Sequence, residues 1–367
     1  MVFVPARSWP RRRQWLRWLV PAVAAGLVAL VTGGVLSANA NPNLPDRSAA
    51  QLLAAISHPK QAGFSGTVVE KASFGLPDLS ALGIPAGDAV TGPLSLLSGS
   101  HTIRVWYGSP TKQRIALLDT FGELDLFRHG NSLWQWNSDT RTAIHRTLPS
   151  DSGLFSPPGQ PISPDQAAKE FLAMVRPSTT VTTDRTAVVA GRPAYVLALS
   201  PKQAGSRIGQ VRISVDGATM VPLGVQVYDR DTARPVLDVS FTRFDTSAPS
   251  EDNFDWTPPA GVTIQRAPAQ TDLLPGLAQL ASQAAVSTVG SGWTSVLKVT
   301  GLPTGAVLGR RSPQAATLLG LLPAVRGRWG SGRLLQSPML SALITDDGRA
   351  FVGAVDPPVL YAAAAAR

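Results

Sequence analysis

The chain has 367 residues, a formal net charge of +9 and no cysteine. The missing cysteine excludes a disulfide framework, thiolate metal ligands, a cysteine nucleophile and lipid attachment to an N-terminal cysteine. The charge does not mark a nucleic-acid surface: Arg7, Arg11, Arg12, Arg13 and Arg17 carry five of the nine, and the +4 left beyond residue 40 is spread without a basic run.

Those arginines precede an apolar run over residues 18–36 and then Ser37-Ala38-Asn39-Ala40, small residues placed as a signal peptidase reads them. Pro21, Gly26, Gly33 and Gly34 weaken the run as a permanent helix. Residues 1–40 therefore read as a signal peptide cleaved after Ala40 or as an N-terminal membrane anchor. Arg12-Arg13 also resembles a twin-arginine export signal, against the plainer reading of an ordinary basic n-region. Under each reading the body is exported to the extracytoplasmic face of the cytoplasmic membrane.

Ser48-Ala49-Ala50-Gln51 is a capping box that opens a helix through Leu52, Leu53 and Ile56, stopped before Pro59. Phe64 to Val69 follows as a strand. Residues 73–99 form a Leu-, Pro- and Gly-rich insertion with Asp78 and Asp88 as its only charges. It reads as a loop packed on its own domain, or as a greasy lid or membrane-contact loop over the open side of the sheet, with Leu76, Leu79 and Leu97 as candidates. Alternation then predicts a strand with Ile103, Val105 and Tyr107 on one face, and further strands over residues 133–136 and 142–146. Trp134 and Trp136 share one strand face, either as core packing or as a wall of an apolar cavity.

Ser163-Pro164-Asp165 begins a second helix carrying Phe171 and Met174, stopped at Pro177. Short strands are expected at 187–190, 193–199, 211–215, 223–228 and 236–244, with a tight turn at Asp216-Gly217. Helix, several strands, helix, several strands implies an α+β fold, an antiparallel meander with helices covering its apolar face. After a Pro- and Gln-rich linker from residue 268, a small second unit is expected. It has a strand at 293–300, a helix at 313–322, strands near 327–335, 339–345 and 350–355, and a hairpin at Asp347-Gly348. Residues 361–367 read as a fraying helical tail.

The chemistry of catalysis finds no purchase. His58, His101, His129 and His145 share no metal-ligand spacing, and neither a G-x-S-x-G elbow nor a phosphate loop is present. Asp346-Asp347 reads as a turn rather than a carboxylate pair. The reading is no enzyme, no metal and no cofactor.

Several segments, in order, resemble the superfamily of LolA-like lipoprotein carriers and RseB-like (MucB-like) periplasmic sensors. They are the capped first helix, the Phe64 to Val69 strand, Gly130-Asn131-Ser132-Leu133-Trp134-Gln135-Trp136, Val215-Asp216-Gly217-Ala218-Thr219-Met220-Val221-Pro222-Leu223, and Phe241 to Phe244 running on to Phe254-Asp255-Trp256-Thr257-Pro258-Pro259. The resemblance covers roughly residues 48–265. It implies an open antiparallel half-barrel over residues 45–266 whose apolar concave face accepts acyl chains, and a small C-terminal α+β domain at 290–360. It departs from carriers in the 73–99 insertion and in Ala218-Thr219-Met220 at the turn. The implied function is a non-enzymatic envelope binding protein for a lipid or an acylated protein. The alternative is an RseB-like regulatory module that senses such a ligand and engages a membrane signalling protein of the anti-sigma-factor type through its C-terminal unit. The cavity or lid candidates are Val68, Leu76, Leu79, Leu97, Val105, Tyr107, Trp134, Trp136, Phe171 and Met174.

Overall fold

The computed structural model describes residues 43–57, 61, 63–75, 98–118, 122–148, 172, 175–266, 285–302 and 319–366. The predicted signal segment, the centre of the 73–99 insertion and most of the two helices expected at 163–175 and 313–322 lie outside the described residues.

The first helix is Ala49–Ser57. Its capping box forms as the sequence implies: Gln51 N donates to Ser48 Oγ at 3.3 Å, and Ser48 N donates to Gln51 Oε1 at 2.8 Å. Six strands then follow in a meander: β1 (Phe64–Ser73), β2 (Ser98–Ser109), β3 (Lys112–Leu118), β4 (Glu123–His129), β5 (Ser132–Asn137) and β6 (Thr142–Thr147). A second meander comprises β7 (Thr179–Val189), β8 (Arg192–Pro201), β9 (Ile208–Asp216), β10 (Pro222–Asp229) and β11 (Pro235–Asp245). β7 begins eight residues before the strand expected at 187–190; its Thr-rich start, exposed at Thr180, Thr182 and Thr183, lacks the apolar alternation that marks a strand.

β1 and β11 pair antiparallel and join the two meanders into one twelve-stranded sheet. The short β12 (Thr263–Arg266) adds to β6 in a parallel pairing. Its terminal strands, β12 and β7, do not pair with each other, so the sheet is open and not a closed barrel. β7 nevertheless touches β11, with β8, β9 and β10 between them in the sheet, as a curled sheet requires.

Cross-strand partners point to one face, so the register sorts the side chains. The inner face carries two apolar clusters. The first packs Leu52 of the helix on Leu197, Leu199, Val211, Ile213, Val225 and Val239. The second sets Phe64 and Val68 against Phe241, Leu223 and Val221. Gly66 lets these strands approach, since a Cβ there would lie 2.5 Å from the Phe241 ring and 2.4 Å from Arg243 O.

An ion pair between a half-buried arginine and a buried carboxylate fixes the Asp216 turn. Asp216, 1% exposed, receives Arg192 Nε at 2.7 Å and Nη2 at 2.9 Å, together with Thr219 N at 2.8 Å and Oγ1 at 2.6 Å. Burial alone would raise the carboxyl pKa, but the Arg192 and Thr219 hydrogen bonds outweigh it and hold the pKa below the ordinary carboxylate value.

The C-terminal sheet has six strands in the order β13-β14-β18-β17-β16-β15, all antiparallel. They are β13 (Ala285–Val289), β14 (Val296–Thr300), β15 (Ala324–Gly327), β16 (Gly330–Gln336), β17 (Ser341–Thr345) and β18 (Arg349–Gly353). The strand expected at 293–300 is instead a 3-10 turn at Gly292–Thr294 followed by β14, and the stretch at 327–335 belongs to a hairpin of two strands. The hairpin at Asp347-Gly348 forms between β17 and β18, with Gly348 at φ 83°.

The expected fraying tail is a packed helix, Pro357–Ala365. It buries Leu360, Ala363 and Ala364 against Val296, Leu343 and Phe351, and Tyr361 stacks on Trp329. Arg349 Nη1 donates to Ala364 O at 3.0 Å and so satisfies a carbonyl at the helix end. Small alanines let the helix lie close to the sheet, an effect that helix composition read alone does not show.

The two sheets meet in a sealed seam. Trp293 and Met339 come from the C-terminal unit yet are buried in the first sheet's own core cluster. Trp293 Nε1 donates to Thr179 Oγ1 at 2.7 Å and its backbone N to Gln203 Oε1 at 2.8 Å. Backbone bonds Arg207 N to Ala354 O at 2.9 Å and Asp356 N to Gly205 O at 2.8 Å run alongside. Arg230 Nη1 completes the seam on Asp356 Oδ2 at 3.0 Å.

Candidate functional site: the inner wall of β2 to β6

On the inner face of the first meander the register runs in rows. One row is Gly66, Val105, Ile115, Leu126, Gln135 and Ile144; the next is Val68, Ile103, Leu117, Leu124 and Asn137. Together they set Ile103, Val105, Ile115, Leu117, Leu124, Leu126 and Ile144 side by side, all half-buried. Ile103 and Val105 lean on the second core cluster, whereas, among the described residues, Ile115, Leu117, Leu124, Leu126 and Ile144 join none of the core clusters. The inner face is thus closed over the second meander and presents an apolar wall over the first.

Polar groups bound the wall at both ends. At one end Glu70 sits 4% exposed, with His101 Nδ1 2.7 Å from its Oε2 and no hydrogen-bond partner on its Oε1. Burial raises the Glu70 pKa, and the hydrogen bond and charge of His101 oppose that rise. At the other end a row of Tyr107, Gln113, Arg128, Leu133 and Arg146 crosses five strands.

The residues singled out from sequence divide between the faces. Val68 is buried under Phe241, while Val105 and Tyr107 flank the same cluster, Tyr107 stacked on Phe64 with centroids 5.2 Å apart. Trp134 and Trp136 are not on this wall. Trp134 pairs with Phe127 and Trp136 with Asp125, which puts both on the outer face. There Trp256 lies over Phe127, Trp134 and Trp136 at centroid distances of 5.2, 5.4 and 5.7 Å, so the Phe254-Asp255-Trp256 segment clamps the outside of the sheet. Leu76, Leu79, Leu97, Phe171 and Met174 lie outside the described residues. Ile115, Leu117, Leu124 and Leu126 escaped the sequence reading, although alternation in β3 and β4 marks them.

The groups capable of chemistry are otherwise employed. His129 Nδ1 meets Asp255 on the exposed outer face. Ser132 Oγ lies 2.9 Å from His145 Nε2, but among the described residues His145 has no carboxylate to orient it, and its ring stacks on Trp134 at 4.3 Å. Among the described residues no three His, Asp or Glu side chains gather as a metal set, and no helix is long and apolar enough to cross a membrane.

No protein-family model matches the chain, and no curated protein matches it. Among solved structures, a chain of the Pseudomonas aeruginosa MucA/MucB complex matches at 16% identity and a TM-score of 0.45, covering 86% of this chain and 96% of that one. A structure of MucB matches at 17% identity and a TM-score of 0.39, covering 87% and 94%. A LolA superfamily protein from Nitrosomonas europaea matches at 11% identity and a TM-score of 0.22, covering 57% and 99%. The open antiparallel sheet is carried by the strand register described above and not by these likenesses.

Proposed function

We propose that this chain is a non-enzymatic, extracytoplasmic binding protein that holds the acyl chains of a lipid or an acylated protein against the inner wall of β2 to β6. The observation that supports this is the row of half-buried side chains, Ile115, Leu117, Leu124, Leu126 and Ile144, outside every core cluster. Contiguous apolar surface of this kind marks an interaction site. Burying ten methylenes contributes about 8 kcal/mol. Lost freedom on association removes at least about 4 kcal/mol of that, leaving a roughly millimolar interaction for one chain. A two-chain anchor therefore suits the wall better than a single fatty acid. Val68, Val105 and Tyr107 belong to this side of the sheet. Leu76, Leu79, Leu97, Phe171 and Met174 stay as cavity or lid candidates on sequence grounds, and the tryptophan pair is left out.

Native mass spectrometry of the exported protein, with organic extraction, tests the reading. A discrete lipid mass that disappears in Leu126→Asp supports it. Protein at bare mass, with no uptake of offered diacyl lipid or acylated peptide, refutes it.

The seam favours a second reading, a sensor in which the C-terminal unit engages a membrane signalling protein. Trp293 and Met339 tie that unit to the core cluster of the second meander, on the face that carries the wall, and such a unit could report occupancy of the wall to a partner. A partner that stays bound regardless of added lipid would sink it.

A further inference from the structure

The polar end of the wall contains groups that the fold leaves unanswered. Arg128 is 0% exposed, Arg146 2% and Gln113 5%. Arg128 Nε donates to Gly130 O at 3.2 Å, but neither Nη1 nor Nη2 has a hydrogen-bond partner. Arg146 Nη1 donates to Gln135 Oε1 at 3.2 Å, while its Nε has none, and Gln113 Oε1 is likewise without one. The register sets Gln113 directly beside Arg128 and places Arg146 two strands on, all on the inner face. Among the described residues neither arginine forms an ion pair; Glu70, on the same face, is engaged by His101 at the far end of the wall.

A buried guanidinium without a counter-charge is among the most unfavourable groups a fold can hold, and nearly all buried polar atoms in proteins find partners. The outer face of the same strands shows the usual solution, with Arg114 Nε 3.2 Å from Asp125 Oδ1 and Nη2 3.1 Å from Oδ2. On the inner face the arginines lack such a carboxylate and adjoin an apolar surface that a chain can cover.

We propose that Arg128, Arg146 and Gln113 receive the phosphate-bearing end of the acyl amphiphile whose chains lie on Leu126 and its neighbours. A phosphate presents several acceptor oxygens. It can therefore take donors from two arginines two strands apart, roughly 10 Å at the usual strand spacing. A single carboxylate reaches both less readily. Gln113 Oε1 is an acceptor for a hydroxyl beside the phosphate, as on a glycerol headgroup. Burial lowers the pKa of both guanidinium groups, which a bound anion would reverse. The inference rests on the acyl-chain reading for the source of the phosphate, and the test separates the two.

The full exported protein is titrated with dioctanoyl phosphatidylglycerol, with uncharged dioctanoylglycerol and with glycerol 3-phosphate. The comparison is with a double variant carrying Arg128→Met and Arg146→Met. The expected result is phosphatidylglycerol bound at least about tenfold more tightly than dioctanoylglycerol. In the double variant that preference disappears while dioctanoylglycerol binding stays. The variant's melting temperature rises, because methionine removes unpaired buried charge. Equal binding of both lipids by the native protein overturns the headgroup site and leaves the acyl reading standing. A preference that survives in the variant overturns it too, as does a melting temperature several degrees lower, which would reveal an internal counter-charge. Binding of glycerol 3-phosphate alone, lost in the variant, keeps the phosphate site and rejects the lipid as its source. No binding of any of the three rejects both.

Discussion

Trp293→Ala tests whether the C-terminal unit is part of the half-barrel's core. The indole is 3% exposed, and its neighbours in the cluster belong mainly to the other sheet. Removing a buried Trp ring costs about 3–5 kcal/mol in transfer and cavity terms. The Nε1 bond to Thr179 Oγ1, itself in a residue 1% exposed, adds up to about 1 kcal/mol. Ser178 Oγ lies 3.3 Å from that hydroxyl and recovers part of the loss, so about 4 kcal/mol is the expected total. Urea unfolding followed by far-ultraviolet circular dichroism reads it. With a slope of about 3 kcal/mol per molar, the midpoint falls by more than about 1 M. Trp293→Phe keeps most of the ring and loses the donor, and should fall by less than half as much. An unchanged midpoint in Trp293→Ala would refute the account, since the ring would then bridge nothing. The same seam implies that deleting residues 285–366 destabilises the first sheet rather than leaving it intact.

Asp216→Asn should lower stability at neutral pH by about 2–3 kcal/mol, because it removes the charge that Arg192 and Thr219 hold. The folded pKa of Asp216 is below its unfolded value, so its contribution is full above about pH 4. That contribution is lost as pH falls through the folded pKa, and acid unfolding of the variant should lack this component. Gly66→Ala should lower the melting temperature markedly, by about 1–3 kcal/mol of overpacking, since Phe241 is fully buried and the clash with Arg243 O is with backbone. Trp134→Ala should lower stability by about 2–3 kcal/mol, through lost stacking on Trp256 and His145, while leaving lipid uptake at the native level. Loss of uptake in a still-folded Trp134→Ala would contradict the assignment of that ring to the outer face.

Much of the architecture was legible because its signals are local. The capping box at Ser48 and Gln51, the hairpin at Asp347-Gly348 and the alternation through Ile103, Val105 and Tyr107 each act within a few residues of backbone, and each stands in the structure where expected. The wall was only half legible. β3 and β4 alternate, but a short alternating run between polar turns shows which side chains share a face and not which face is covered.

The sequence by itself determined the strand-rich order of elements, the exclusion of cysteine chemistry and the residues that share a strand face. Only the tertiary structure decided which face is inside. A period of two groups Trp134 with Trp136 and Val105 with Tyr107 but leaves the sign of each group open. That sign is set by the pairing of β1 with β11, between residues more than a hundred and fifty positions apart. The same long-range register buries Arg128 and Arg146 beside an apolar wall, where composition suggested only a solvated surface. In the C-terminal sheet, Val296, Leu343 and Phe351 turn an alanine-rich end into a packed helix. These outcomes depend on what lies opposite a side chain, and a sequence names neighbours along the chain, not across it.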